Sequence, residues 1–157
     1  MPIGKIDEQL PLIYLEVEQK PSIFDQWIKD GWEPEKKGPP LDSKSNLKPS
    51  TFLKDGETYV SGEEMLRRGI EDEPELGPLA GYKHAEYLFN NQHLIPAGYR
   101  GKVLVFAGTV WQDPRGYRCV VCLFWDGERW RLRRDWLGHA DWHDYYRLVR
   151  LPQVSDT

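Results

Sequence analysis

Two short segments carry residue types that could do chemistry. Cys119-Val120-Val121-Cys122 has the spacing of a redox dithiol or half a metal site. His139-Ala140-Asp141-Trp142-His143-Asp144 sets two imidazoles four positions apart with two carboxylates, a zinc ligand set if the segment is helical. The surrounding residues argue against both uses. The β-branched Val120 and Val121 predict a strand, in which residues three apart point to opposite faces, so the two sulfurs neither pair nor share an ion. Gly138 precedes the histidine segment, and Trp142, Tyr145 and Tyr146 suit a loop or strand better than a helix. Cys122 reads as a small buried filler. No Gly-rich phosphate loop, no Gly-x-Ser-x-Gly elbow and no Ser-His-Asp spacing is present. The expectation is therefore no catalytic residue, no metal and no cofactor, with a metal- or cysteine-dependent enzyme as the alternative.

The elements that hold these segments follow from local pattern. Leu10–Val17 predicts a strand and Ser22–Lys29 a short amphipathic helix. Glu33–Ser50, with Pro34, Pro39, Pro40, Pro49 and Gly38, predicts an extended segment wrapped on the surface or a linker. Ser61-Gly62-Glu63-Glu64 is a capping box that opens a helix from Gly62 to about Gly69. A second helix covers Tyr82–Phe89, with Ala85, Leu88 and Phe89 on one face, and stops by Pro96. From Lys102 the pattern turns to strands: Val103–Ala107, a turn at Gln112–Gly116, Arg118–Trp125, a hairpin signal at Asp126-Gly127, a strand with Trp130 and Leu132 inward and Arg131 and Arg133 outward, and Leu148–Leu151. The class is α+β, with two helices and a small antiparallel sheet.

A chain of 157 residues predicts one domain, and its 13% aromatic content supplies core volume where aliphatics are few. A net charge of −4 excludes a broadly basic nucleic-acid binder. No apolar run reaches membrane-spanning length, and the acidic start around Asp7, Glu8, Glu16 and Glu18 is unlike a signal peptide, so a cytoplasmic or particle-associated protein is expected. The charges divide unevenly. Residues 1–102 hold 10 Lys, 3 Arg and 18 acids, whereas residues 103–157 hold 8 Arg, no Lys and 7 acids. Arginine among many aromatics is the composition of recognition surfaces, although a solvated Arg-rich sheet face gives the same count.

Beyond these patterns, the blocks Ser61–Arg68, His84–Leu88, Asn91-Gln92, Ile95-Pro96, Gly108–Asp113, Leu123–Trp130, Trp136-Leu137 and Arg147-Leu148-Val149-Arg150 together resemble the variable proteins of diversity-generating retroelements. The resemblance is to the branch found in archaea, their viruses and candidate-phylum bacteria, and it covers about residues 50–150. It implies a C-type lectin-like fold without a calcium site, long loops, and a variable region at about 110–150. In this family a reverse transcriptase introduces errors at adenines, and adenine errors in AAC or AAT codons never yield Lys, Glu, Gln, Met or Trp. The exchangeable, ligand-contacting positions implied are Tyr117, Cys119, Phe124, Asp126, Arg131, Arg133, Arg134, Asp135, His139, Ala140, His143, Tyr145 and Tyr146. Trp111, Trp125, Trp130, Trp136, Leu148 and Val149 are the implied frame, with their rings beneath the displayed face. The function implied is binding of a protein or glycan ligand by a monomer or small homo-oligomer, within a virion or surface assembly, with no nucleic-acid partner and no membrane insertion. Residues 1–50 are expected to form an extended segment that wraps or attaches a lectin-like domain at 51–157.

Overall fold

The computed structural model describes residues 2–15, 24–36, 38–41 and 46–153. Within them the chain is α+β, with few helices and a mostly antiparallel sheet. The helices are α1 (Phe24–Lys29), α2 (Gly62–Glu71), α3 (Glu73–Leu76) and α4 (Tyr82–Asn90). Helix α2 begins where the capping pattern predicts: Ser61 Oγ accepts the Glu64 amide at 3.1 Å. The second half of the box does not close. The Glu64 carboxylate turns instead to Arg67 and Arg68, each at 2.7 Å, because two cations on the next turn offer stronger, charge-assisted bonds than one backbone amide. Met65 and Leu66 bury one face of α2, and Ala85 and Leu88 bury that of α4 with Phe89 packed beside them.

The strands are β1 (Ile13–Tyr14), β2 (Glu33–Lys36), β3 (Asn46–Ser50), β4 (Tyr59–Val60), β5 (Val103–Gln112), β6 (Arg118–Trp125), β7 (Trp130–Trp136), β8 (Trp142–His143) and β9 (Tyr146–Arg150). The main sheet runs β1-β3-β9-β5-β6-β7, with β2 on the far half of β5, while β4 and β8 pair apart. Strand β9 is antiparallel to β3 but parallel to β5, the one parallel pairing among the described strands. Strand β5 runs past the predicted Ala107 because Thr109, Val110 and Trp111 are good strand formers. The register shifts between Phe106 and Trp111, where Gly108 donates to Ala80 O at 2.9 Å. The β6–β7 hairpin closes through Asp126 N to Arg129 O at 3.0 Å. Gly127 takes φ 101° at the first central position of the turn, a backbone that favours glycine.

The sheet carries a core on each side. Leu104, Phe106, Trp111, Cys119, Val121, Leu123 and Trp130 face α4 and the N-terminal strands, whereas Val105, Ala107, Val120, Cys122 and Leu148 face α2, Phe52 and Trp142. The described N-terminal residues belong to this frame: Ile13 and Leu47 are buried, Asp7 N donates to Pro49 O at 2.9 Å, and the Asp72 carboxylate accepts the Ile3 and Gly4 amides at 2.9 and 2.7 Å. Of the strand predicted at Leu10–Val17 only Ile13–Tyr14 is paired, and Glu16 and Val17 lie outside the described residues, as do Ser22 and Ile23 of the first predicted helix. The segment predicted at Glu33–Ser50 as a surface wrap or linker instead supplies two sheet strands, β2 and β3, with Leu47 and Ser50 buried, because pairing with β5 and β9 satisfies its backbone. Lys37 and residues 42–45 lie outside the described residues. Among the described residues, no helix is long and apolar enough to cross a membrane.

Candidate functional site

Alternation along the hairpin sorts the predicted site residues. Register pairs Cys119 with Trp136, Val121 with Arg134 and Leu123 with Leu132, which places these six on one face. Val120 with Asp135, Cys122 with Arg133 and Phe124 with Arg131 occupy the other. On the second face Arg133 lies 4.6 Å from the Phe124 ring and pairs with Asp135 at 2.7 Å, and Arg131 pairs with Asp126 at 2.5 Å. Tyr146 packs its ring against Trp142 at 4.7 Å and against His143 at 5.0 Å, and Tyr145 projects beyond them, exposed.

Two expectations need correction, the display of Cys119 and the full covering of Trp125 and Trp136. Cys119 is not displayed: it is fully buried opposite Trp136, and burial pushes its thiol up to about 12. Cys122 is also buried, on the opposite side of the sheet, and burial pushes its thiol up as well, so neither sulfur presents a thiolate. Arg134 is exposed as expected, on the opposite side of the strand from Arg133. Adjacent residues in a strand face opposite ways, and the Arg134 guanidinium stands 4.1 and 4.7 Å from the Trp32 and Trp27 rings. Trp125 and Trp136 are only partly covered, unlike Trp111, Trp130, Leu148 and Val149. Trp125 carries the Arg100 guanidinium at 4.0 Å, and Trp136 stacks on Trp32 at 6.3 Å.

His139 and Ala140 sit in an exposed loop and His143 in β8, so the segment is not a helix and the two imidazoles do not share one helical face. Among the described residues, no group of three or more His, Cys, Asp or Glu side chains is placed to hold a metal.

Two concavities flank this loop. The larger, about 560 Å³, is lined by Glu63, Arg115, Gly116, Tyr117, Arg118, Trp136, Gly138 and His139. The smaller, about 270 Å³, is lined by Arg133, Asp135, Trp136, His139, Asp141, Trp142 and Tyr146. Trp136 and His139 belong to both walls, so the two form one continuous surface. Tyr117, Arg133, Asp135, His139 and Tyr146 of the predicted set meet there. Phe124, Asp126 and Arg131 lie toward the hairpin tip, while His143 and Tyr145 line a separate groove with Lys54 and Thr58.

Local bonding fixes the larger groove. The Asp113 carboxylate accepts the Arg115 and Tyr117 amides at 2.9 and 2.8 Å and shapes the turn that presents Tyr117. Gly62 and Glu63, at the start of α2, donate to His139 O and Leu137 O at 2.9 and 3.1 Å, so helix amides that would otherwise be orphaned hold the loop. Arg118 bonds Glu35 at 2.8 and 3.0 Å and also reaches Glu63. These hydrogen bonds hold the Glu35 carboxyl below its usual range. Glu35, Glu63, Arg115 and Arg118 were not among the predicted residues, and Asp141 was named only within the zinc ligand set that the sequence argued against. The glycines at 116 and 138 are the local signal for open space there, but nothing in the sequence pairs Glu35 with a residue so distant.

A methyl group on Gly62 would stand 2.6 Å from Leu137 Cα and from Trp142 Nε1. Gly62→Ala is therefore expected to cost about 1–3 kcal/mol by urea unfolding and to shift the loop that carries His139. A loss near zero would show that the helix start does not set the loop.

No family model, curated protein or solved structure matches the chain.

Proposed function

We propose that the chain is a ligand-binding display protein on a C-type lectin-like frame, diversified by a retroelement, which contacts a protein or glycan ligand through the surface around Trp136 and His139. One observation carries the reading: with the exception of Cys119, the residues assigned as exchangeable are at least partly exposed, while Trp111, Trp130, Leu148 and Val149 beneath them are buried. A close-packed core does not tolerate arbitrary exchange, whereas an exposed position does. Aromatic and arginine side chains on strands and tight turns supply contact area at modest entropic cost. The reading needs no catalytic group and no cofactor, and it places the protein, as a monomer or small homo-oligomer, in a particle or surface assembly.

The test is to sequence the gene's 3′ end from many related genomes, together with the neighbouring DNA. Changes confined to codons that hold adenine in a nearby repeat, at the exposed positions and not at Trp111 or Trp130, support the reading. A uniform gene without a repeat, or changes spread evenly through the core, overturns it. On the protein itself, a Tyr117→Ala, His139→Ala, Tyr145→Ala triple variant is expected to keep its melting temperature, with a cost of about 0.5 kcal/mol per site or less. A larger loss would make these side chains structural.

A further inference from the structure

The larger groove belongs to the surface just assigned to display, so the nature of its ligand rests on that reading. We propose that this groove takes an uncharged, hydroxyl-rich sugar ring of the pyranose type. Its volume, about 560 Å³, falls inside the ~300–1,000 Å³ of small-molecule sites. At Gly116 and Gly138 no atom would lie within 4 Å of an added Cβ, so both are bordered by open space.

The Tyr117 and Trp136 rings meet at 79° with centroids 6.0 Å apart, which gives the groove an aromatic corner, and Tyr117 is 58% exposed. An aromatic face has negative charge density, to which the polarised C–H face of a sugar ring is attracted. Beside this corner Arg118 is held between Glu35 and Glu63. Their side chains keep 32%, 38% and 49% of their surface in solvent. They therefore offer donors and acceptors in fixed positions, and a hydroxyl group, which both donates and accepts, suits such a pair. Glu63 in the wall, and Glu35 bonded to the same guanidinium outside it, offset the Arg118 charge, so that group does not attract an anionic ligand. The remaining cation, Arg115, is drawn to Asp113 at 3.4 Å and lies 5.1 Å over the Tyr117 ring, where it extends the wall.

The test is an array of immobilised neutral oligosaccharides, based on mannose, glucose and galactose, printed beside sialylated and sulfated ones and exposed to the full chain. The best neutral sugar is then titrated by NMR. Binding is expected on neutral sugars, with shifts at the Trp136 indole. Tyr117→Ala should weaken it at least ~10-fold while Tyr117→Phe, which keeps the ring, stays within about 2-fold. Glu63→Gln should weaken binding by removing one acceptor, and Tyr14→Ala, equally exposed at the opposite edge of the sheet, should leave it unchanged. No binding to any neutral sugar, binding to acidic sugars alone, or neutral binding that ignores Tyr117→Ala with no Trp136 shift overturns the proposal. Each of those results leaves the display reading intact, since that reading stands or falls on the gene sequences.

Discussion

Replacing Arg150 with methionine is expected to remove about 3–5 kcal/mol of unfolding free energy, a large part of the ~5–15 kcal/mol typical of a domain, and to lower the melting temperature by roughly 10 °C. Arg150 has no exposed surface. Its Nε donates to Ser50 Oγ at 2.8 Å, and its Nη atoms donate to Gly77 O at 2.7 Å and Gly69 O at 3.0 Å. One planar fork thus ties β9 to β3, to the last turn of α2 and to the segment after α3. Burial lowers the guanidinium pKa to about 10, against the pull of Asp72 and Glu73, so the group stays charged at neutral pH. Methionine fills much of the space but leaves buried acceptors without donors, which is where the cost arises. Arg150→Lys keeps the charge but not the fork, so it should recover only part of the loss. Urea unfolding of the three proteins decides the point: a methionine variant within about 1 kcal/mol of the parent would show that the fork is dispensable.

The second large effect is on acid stability. His84 on α4 is fully buried, and neither ring nitrogen has a hydrogen-bond partner among the described residues. Burial, with a smaller contribution from the Lys83 charge, lowers its pKa from 6.5 to about 4. Above pH 6.5 the ring is neutral whether the chain is folded or unfolded, and it contributes no pH dependence. Between pH 6.5 and 4 the unfolded chain takes up a proton that the folded chain refuses, so stability falls as pH falls, by about 1.4 kcal/mol per unit and on the order of 3 kcal/mol in all. The carboxyls of Glu57 and Glu64, held down to about 2 chiefly by hydrogen bonds from Arg68 and Arg67, act in a lower window: the stability they contribute is lost as pH falls from about 4.5 through 2. His84→Leu should therefore flatten the stability curve from pH 7 to 4 and leave the steep loss below it. Parallel curves for parent and variant across that window would show that His84 is protonated as readily in the folded chain as in the unfolded one.

What was legible in the sequence was local. Asp126-Gly127 marks its turn, the alternation of Trp130, Arg131, Leu132 and Arg133 marks its strand, and Ser61 marks its helix, because each signal acts over a few residues. Opposite faces for Cys119 and Cys122 followed from strand geometry alone, and the structure separates them into different cores. What was not legible depended on contacts beyond the local pattern. The tryptophans over Arg134 come from α1 and the loop before β2, roughly a hundred positions earlier, and the burial of Cys119 follows from its position facing Trp136 across the hairpin. The Glu35–Arg118–Glu63 group joins an N-terminal strand, a helix start and β6, with no shared motif to announce it. Of the site, the aromatic members could be read from composition, whereas the charged members that give the groove its polarity could not.

The position of β9 has a consequence for how the protein is made. The final described strand lies in the interior of the sheet, where Lys48 pairs with Arg150 and Val103 with Tyr146. Contacts of such sequence separation form late and slow folding. During synthesis β3 and β5 must wait on the ribosome with one edge each unsatisfied, and a chain terminated anywhere before residue 146 keeps that gap permanently. Products truncated before residue 146 should therefore go to aggregation or proteolysis rather than accumulate as partly folded chains.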